Sequence, residues 1–251
     1  MLRILIAVCL FISGVTAQAA RTTPSEALHY KVLFKWGLIN KKAGTADLTL
    51  TPRGNYLIAR LTAKNESWAD GFYKLRDTLT SHIDPVSMPP NYYERIAHEA
   101  GKYARVVVLF SRRGGEVTAR TERVRSHDPN EVPDPIVNSL VATGVTVDMV
   151  SAFYYLRNLD FSHMTPGESK VINIFSAKRK ELLRITFHGE EKVRIDKRDY
   201  DTWRISFTFT TDGSKKSSDS IDTWITTGGN HKPVKLRGKL KIGSILCLLE
   251  E

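Results

Sequence analysis

Alternation of apolar and polar residues recurs along this chain in many short segments, and it limits the possible folds more than any other feature. Successive side chains of a β-strand point to opposite faces, so a period of two residues indicates a strand with one buried face. The clearest alternating segments are 47–51, 57–62, 104–110, 183–188 and 203–210. Turn-forming sequences at 52–55 and 113–115 follow such segments, as in antiparallel hairpins. The pattern therefore predicts an all-β protein.

One segment, residues 148–157, departs from the period of two. Its apolar residues are spaced as on one face of a short helix, with Thr146 or Asp148 near the N-cap. Those residues are Met149, Val150, Phe153 and Leu156. We therefore predict a single short helix near 148–157.

A proline-rich connector, residues 126–135, precedes this helix and is not expected to form regular structure. On either side lie two β-rich halves, about 28–125 and 166–249. Because the link between them is short, we expect one domain over residues 20–251. Many short strands with frequent turns favour an antiparallel β-barrel or β-roll, with the helix between its two β-rich halves.

The first 19 residues have the layout of a secretory signal peptide. A short basic start precedes an apolar run, Ile4–Ala17, and small residues at Ala17 and Ala19 suit a cleavage site. The run is too short for a transmembrane helix, and the rest of the chain has no longer one. We expect export, to the periplasm first and the cell surface as the alternative. Cleavage leaves Cys247 as the single cysteine, so no internal disulfide is expected.

Three strings, in order along the chain, carry a resemblance to a known family. They are residues 30–44, 148–157 and 223–244, and the most specific is SAFYYLR at 151–157. The chain resembles the bacterial envelope family catalogued as domain of unknown function 3108. The resemblance implies a secreted, β-rich protein of uncharacterised activity, and it supplies no catalytic residues.

Signals for catalysis or for metal binding are weak in this sequence. The seven histidines show no paired ligand spacing, and neither G-x-S-x-G nor S-x-x-K occurs. His82 and Asp84 share a strand face and form the best local acid–base pair, but no nucleophile accompanies them. We therefore expect a protein that is not an enzyme, without cofactor or metal, and keep an envelope hydrolase using His82 and Asp84 as the alternative.

The strongest chemical signal is cationic. The chain carries a formal net charge of +10, and alternating positions Lys235, Arg237, Lys239 and Lys241 place four positive charges on one strand face. A solvated outer face explains this pattern, and so does attraction to an anionic envelope lipid, glycolipid or glycan. Export argues against nucleic acid as the partner.

Aromatic residues at strand and helix positions suggest where an apolar part of such a ligand would bind. We predict a cavity lined by Trp36, Tyr154, Arg157 and Trp224, with the acidic head of the ligand near the cationic strand. The expected function is a periplasmic binding or envelope-assembly protein that is not an enzyme. A structural partner of an envelope complex is the other alternative, and it predicts an exposed apolar patch.

Overall fold

Strands make up most of the chain in the computed structural model, which describes residues 25–86, 88–128, 131, 133–176, 178–214 and 217–250. The predicted signal peptide, residues 1–19, lies outside these residues. In the described part of the chain, neither helix is long and apolar enough to cross a membrane.

The described residues form fifteen strands and two short helices. The strands are β1 (Glu26–Trp36), β2 (Ile39–Arg53), β3 (Tyr56–Asn65), β4 (Leu75–Ile83), β5 (Pro90–Glu99), β6 (Lys102–Arg113), β7 (Glu116–Ser126), β8 (Ile136–Thr143), β9 (Thr146–Val147), β10 (Ser169–Phe175), β11 (Lys180–Ile195), β12 (Arg198–Thr211), β13 (Ile221–Thr226), β14 (Pro233–Lys239) and β15 (Ser244–Glu250). The helices are α1 (Ser67–Tyr73), which the alternation does not predict, and α2 (Ser151–Arg157), inside the segment predicted to be helical.

Hairpin pairing produces one continuous sheet. Each strand from β1 to β7 pairs antiparallel with its successor in the chain, and so does each strand from β10 to β14, whereas β9 pairs with β10 in parallel. The last strand then pairs with the first, antiparallel, with Tyr30 opposite Leu249. The sheet order is β8-β7-β6-β5-β4-β3-β2-β1-β15-β14-β13-β12-β11-β10-β9. The sheet curls into a nearly closed barrel, which confirms the predicted fold class.

The two edges of the sheet, β8 and β9, meet because only Gly144 and Val145 separate them in the chain. Asn173 on β10 links the two edges by hydrogen bonds. Its backbone N–H donates to the carbonyl oxygen of Val145 (2.9 Å), and its side-chain amide donates to the carbonyl oxygen of Thr143 (2.8 Å). The Asn173 side chain and the two-residue strand β9 thus connect the two edges, between which the described residues form no continuous row of backbone hydrogen bonds.

Helix α2 lies inside the barrel. Tyr154 belongs to the apolar cluster built mainly on β1–β8, whereas Ala152 and Leu156 belong to the cluster built mainly on β9–β13. A seven-residue helix is not stable alone in water, so packing on both sides must hold it. The helix thus contacts both apolar clusters of the interior.

Candidate functional site

Charged side chains replace apolar ones on the inner face of the sheet toward one end of the barrel. Alternation places Asp77 on β4, Arg95 on β5, and both Arg123 and Arg125 on β7 on the same face as the buried core residues of those strands. Alanines face them on neighbouring strands: Ala63 and Ala97 are opposite Asp77, and Ala104 is opposite Arg125. These small side chains leave room for the long guanidinium groups.

The space between these side chains is a half-open cavity of about 620 Å³. We call it the basic cavity. This volume lies in the range of small-molecule sites, roughly 300–1,000 Å³. Its wall is partly apolar, from Leu61, Leu79, Tyr93, Val106 and Met149. Its charged lining comprises five cations, Arg95, Arg123, Arg125, Lys178 and Arg179, and two carboxylates, Asp77 and Glu181.

One ion-pair network neutralises part of this charge. Arg95 pairs with Asp77 across β4 and β5 (2.6 Å) and with Glu99 on its own strand. Burial raises the pKa of Asp77 above its ordinary value, although the charge of Arg95 opposes that rise. The other oxygen of Asp77, Oδ1, is buried without a hydrogen-bond partner.

The remaining cations of the basic cavity are less completely partnered. The Nε of Arg123 is buried and has no hydrogen-bond acceptor. Among the described residues, Arg123, Arg125 and Lys178 form no ion pair with a carboxylate, whereas Arg179 pairs with Glu181 (3.3 Å). Buried donors are normally hydrogen-bonded, so the Nε of Arg123 stands out among the cations of the basic cavity.

The start of helix α2 forms the floor of the basic cavity through Met149. Asp148 fixes this start: its Oδ1 accepts the backbone N–H groups of Val150 (2.7 Å) and Ser151 (2.9 Å). Its Oδ2 accepts the hydroxyl of Ser81 on β4 (2.6 Å). Burial raises the pKa of this fully buried carboxyl to about 6, despite these hydrogen bonds. Asp148 thus anchors the helix to the wall beside the cavity.

The structure divides the eight residues predicted to bind ligand between the barrel interior and the outer face of the sheet with its hairpin tips. Tyr154 and Arg157 lie on α2 in the interior, and both are fully buried. The Arg157 guanidinium donates to Glu26 on β1 (2.6 and 2.9 Å) and to the carbonyl oxygen of Asn230 (2.8 and 3.1 Å). This pair links the helix to the sheet at the end of the barrel away from the basic cavity.

Lys235, Arg237 and Lys239 lie on the outer face of the sheet, and Lys241 follows in the turn after β14. Trp224 shares that face but is buried there, only 2% exposed. The Lys235 ammonium lies 4.0 Å from the centre of the Trp224 ring, close enough for a cation–π contact. Burial lowers the pKa of Lys235, an effect that the nearby charge of Glu191 opposes. Trp36 stands at the end of β1, more than half exposed. These residues do not surround one cavity, and their ligand-binding role stays a prediction.

His82, from the alternative catalytic pair, packs on the outer face between two tyrosines. Its ring centre lies 4.7 Å from those of Tyr56 and Tyr92, and burial lowers its pKa. Asp84 lies in the following turn, where its Oδ1 accepts the N–H of Val86 (3.0 Å). Among the described residues, no group of three or more His, Cys, Asp or Glu side chains is placed to hold a metal ion.

The basic cavity is not among the sequence-based predictions, although β7 contains a signal for it. Val117 and Ala119 are buried, and the same alternation continues through Thr121 to Arg123 and Arg125. Arginine at positions in phase with a buried face indicates a charged interior. The sequence alone does not show which face of β7 points into the barrel, so the pattern can be interpreted only once the closed sheet is known.

The chain belongs to the family described as "Protein of unknown function (DUF3108)", whose sequence profile matches residues 28–250. A crystal structure from Brucella abortus, a β-barrel-like protein of domain of unknown function DUF1849, is similar in fold, with a TM-score of 0.59 and 10% identity. The similarity covers 92% of this chain and 97% of that one. A protein described as exported, with a YmcC-like fold, from Bacteroides fragilis aligns with a TM-score of 0.36 and 8% identity, covering 92% of this chain and 96% of that one. No protein with a curated description matches the sequence.

Proposed function

We propose that this member of the DUF3108 family is an exported binding protein that is not an enzyme and that holds an anionic, partly apolar ligand in the basic cavity. The observation that carries the proposal is the buried Nε of Arg123, which lacks an acceptor in a cavity with three more cations than carboxylates, five against two. An anion in the cavity would supply the missing acceptor.

The chemistry of the wall indicates the class of ligand. Guanidinium groups present planar, always-charged donors that match carboxylate and phosphate oxygens. Leu61, Leu79 and Met149 supply apolar surface beside them, so one molecule with an acidic head and an apolar part would contact both. An envelope lipid or glycolipid has this composition.

The first test uses 8-anilinonaphthalene-1-sulfonate, an anionic apolar dye, as the probe. Arg123→Gln should weaken dye binding about tenfold, as expected for the loss of one charge-assisted contact worth about 1.4 kcal/mol. Arg120→Gln is the matched control, because Arg120 lies on the same strand but is exposed on the outer face. Nile red, an uncharged dye, should bind both variants as it binds the unaltered protein.

Equal dye affinity in Arg123→Gln and Arg120→Gln would overturn the proposal for this cavity. A second measurement identifies the natural ligand: native mass spectrometry with lipid extraction on protein purified from its own envelope. We expect an anionic lipid or glycolipid that is absent from the Arg123→Gln/Arg125→Gln protein. Recovery of the same ligand from both proteins would place its site elsewhere.

A further inference from the structure

Two hairpin tips lie side by side at the end of the barrel where the basic cavity opens. They are the β1–β2 turn and the β14–β15 turn, and they adjoin because β15 pairs with β1 up to Ser244 opposite Lys35. Their contact is close: a Cβ at Gly243 would lie 2.3 Å from the carbonyl oxygen of Lys35. Gly243 also has a φ of +77°, which suits glycine, so this position both turns the chain and allows the approach.

The two tips expose large apolar side chains to solvent. The least buried is Leu38, which is fully exposed, and the others are 46% to 60% exposed. We call this set the apolar tips: Trp36, Leu38, Ile39, Leu240 and Ile242. The side chains project from two narrow turns and form a convex surface. Most protein–protein interfaces are flatter than this.

Lysines flank the apolar tips on both hairpins. The exposed ones are Lys35, Lys41, Lys42, Lys239 and Lys241. No acidic residue occurs in the sequence of either tip, at 35–42 or 238–244. Glu66 approaches Lys42 from α1 (3.8 Å), and Lys41 lies 4.1 Å from the centre of the Trp68 ring. The surface around the apolar side chains is therefore strongly positive.

Antiparallel topology places the tips and the cavity at the same end of the barrel. The β1–β2 and β14–β15 turns lie at the end that also carries α1, the β5–β6 turn and the loop between β10 and β11. Residues next to α1 and in that loop, including Ala63, Leu75 and Lys178, line the basic cavity. A surface that contacts the tips would face the opening of the cavity.

We propose that the apolar tips insert into the interface of an anionic lipid bilayer and dock the barrel with the cavity end toward the membrane. Exposed tryptophan and leucine beside lysines are the side chains that bind this interface, where apolar groups enter the acyl boundary and lysines meet acidic head groups. Charge complementarity and the convex shape favour a bilayer over a protein partner. The docking residues are separate from Arg123 and Arg125, so this proposal and the ligand proposal can fail independently.

The test is co-sedimentation of the purified protein with vesicles of phosphatidylcholine, with and without phosphatidylglycerol. We expect binding only to the vesicles that contain phosphatidylglycerol, weakened by salt because lysine charge contributes. Leu38→Ser/Ile242→Ser and Lys239→Gln/Lys241→Gln should each reduce binding about tenfold or more. Val137→Ser/Val141→Ser is the matched control, since these exposed apolar residues lie on β8, away from the tips.

Arg123→Gln should bind vesicles like the unaltered protein, which separates docking from ligand binding. Circular dichroism and the thermal midpoint establish that each variant is folded. The proposal is overturned if the unaltered protein ignores anionic vesicles, if it binds neutral vesicles equally well, or if both tip variants bind like the β8 control. A tip variant that keeps vesicle binding but loses a stoichiometric protein partner would also overturn it, and would assign the tips to that partner.

Discussion

The interior of the barrel contains two arginine sites that differ in how completely they are partnered. At one, Arg157 uses all three of its nitrogens on Glu26 and on the carbonyl oxygen of Asn230, and the ion pair is buried on both sides. At the other, Arg123 has a buried Nε without an acceptor, and the cavity beside it is half open.

The difference separates an arginine that supports the architecture from one whose guanidinium is incompletely hydrogen-bonded. The Arg157 pair joins α2 to β1 and to the segment before β14, and its hydrogen bonds are satisfied without any added molecule. Arg123 faces the basic cavity with positive neighbours Arg125 and Lys178. The first site should therefore dominate stability, and the second should contribute little to it.

The largest expected effect is that of Arg157→Met. Removal of one partner leaves the Glu26 carboxylate buried without its cation, which should lower the free energy of unfolding by about 3–5 kcal/mol. Urea denaturation followed by tryptophan fluorescence measures this change. Glu26→Leu/Arg157→Met, which removes both charges, should recover a large part of the loss. A loss below about 1 kcal/mol in the single variant would contradict the structural role of the pair.

Asp148 should make stability depend on pH, with the next largest effect. Its folded-state pKa of about 6 lies above the ordinary value of 3.8, so the folded state binds the proton more tightly than the unfolded state. This contribution is full below about pH 4 and is lost as the pH rises through 6, a difference of about 3 kcal/mol.

Asp148→Asn is the variant that tests this pH dependence, because an amide oxygen can still accept the N–H groups of Val150 and Ser151 at the start of α2. Urea denaturation between pH 4 and pH 7 should show a smaller decline in stability for the variant than for the unaltered protein. Parallel curves for the two proteins would show that the Asp148 carboxyl does not titrate in this range.

Much of the fold could be predicted from the sequence, because alternation is a local property. It predicts the strands of the long hairpins, and the change of period predicts α2. Strand β8 and helix α1 carry weaker signals: β8 follows a proline-rich connector, and α1 is a seven-residue helix that contains Gly71. The pairing of β15 with β1 joins sequence-distant strands and depends on closure of the whole sheet, so no local pattern indicates it.

The candidate site was less predictable than the fold, for a related reason. The sequence singles out Lys235 and Arg237 because a regular charge pattern is visible, yet those residues lie on the outer face of the sheet. Arg95 and Arg123 come from different strands and lie on either side of Val106 only after β5, β6 and β7 pair in register. Whether alternating charge lies inside or outside the barrel is a property of the closed sheet.

A smaller effect is expected for Tyr30→Phe, in the neighbourhood of the Arg157 pair. The Tyr30 hydroxyl donates to the carbonyl oxygen of Pro233 across a buried contact of 2.8 Å. Its removal leaves that carbonyl without its donor and should cost about 1 kcal/mol of unfolding free energy. Thermal unfolding measures the change. Tyr56→Phe is the control, since Tyr56 is only half buried and should lose less.

The smallest effect, and the sharpest contrast with Arg157, is expected for Arg123→Gln. Gln keeps polar contact with water in the half-open cavity, and the loss of one positive charge relieves repulsion with Arg125 and Lys178. The free energy of unfolding in urea should therefore stay within about 0.5 kcal/mol of the unaltered value, or rise. A loss of about 2 kcal/mol or more would mean that Arg123 supports the sheet as Arg157 supports α2. The two arginine sites would then be alike, and the incomplete partnering of Arg123 would no longer indicate a ligand.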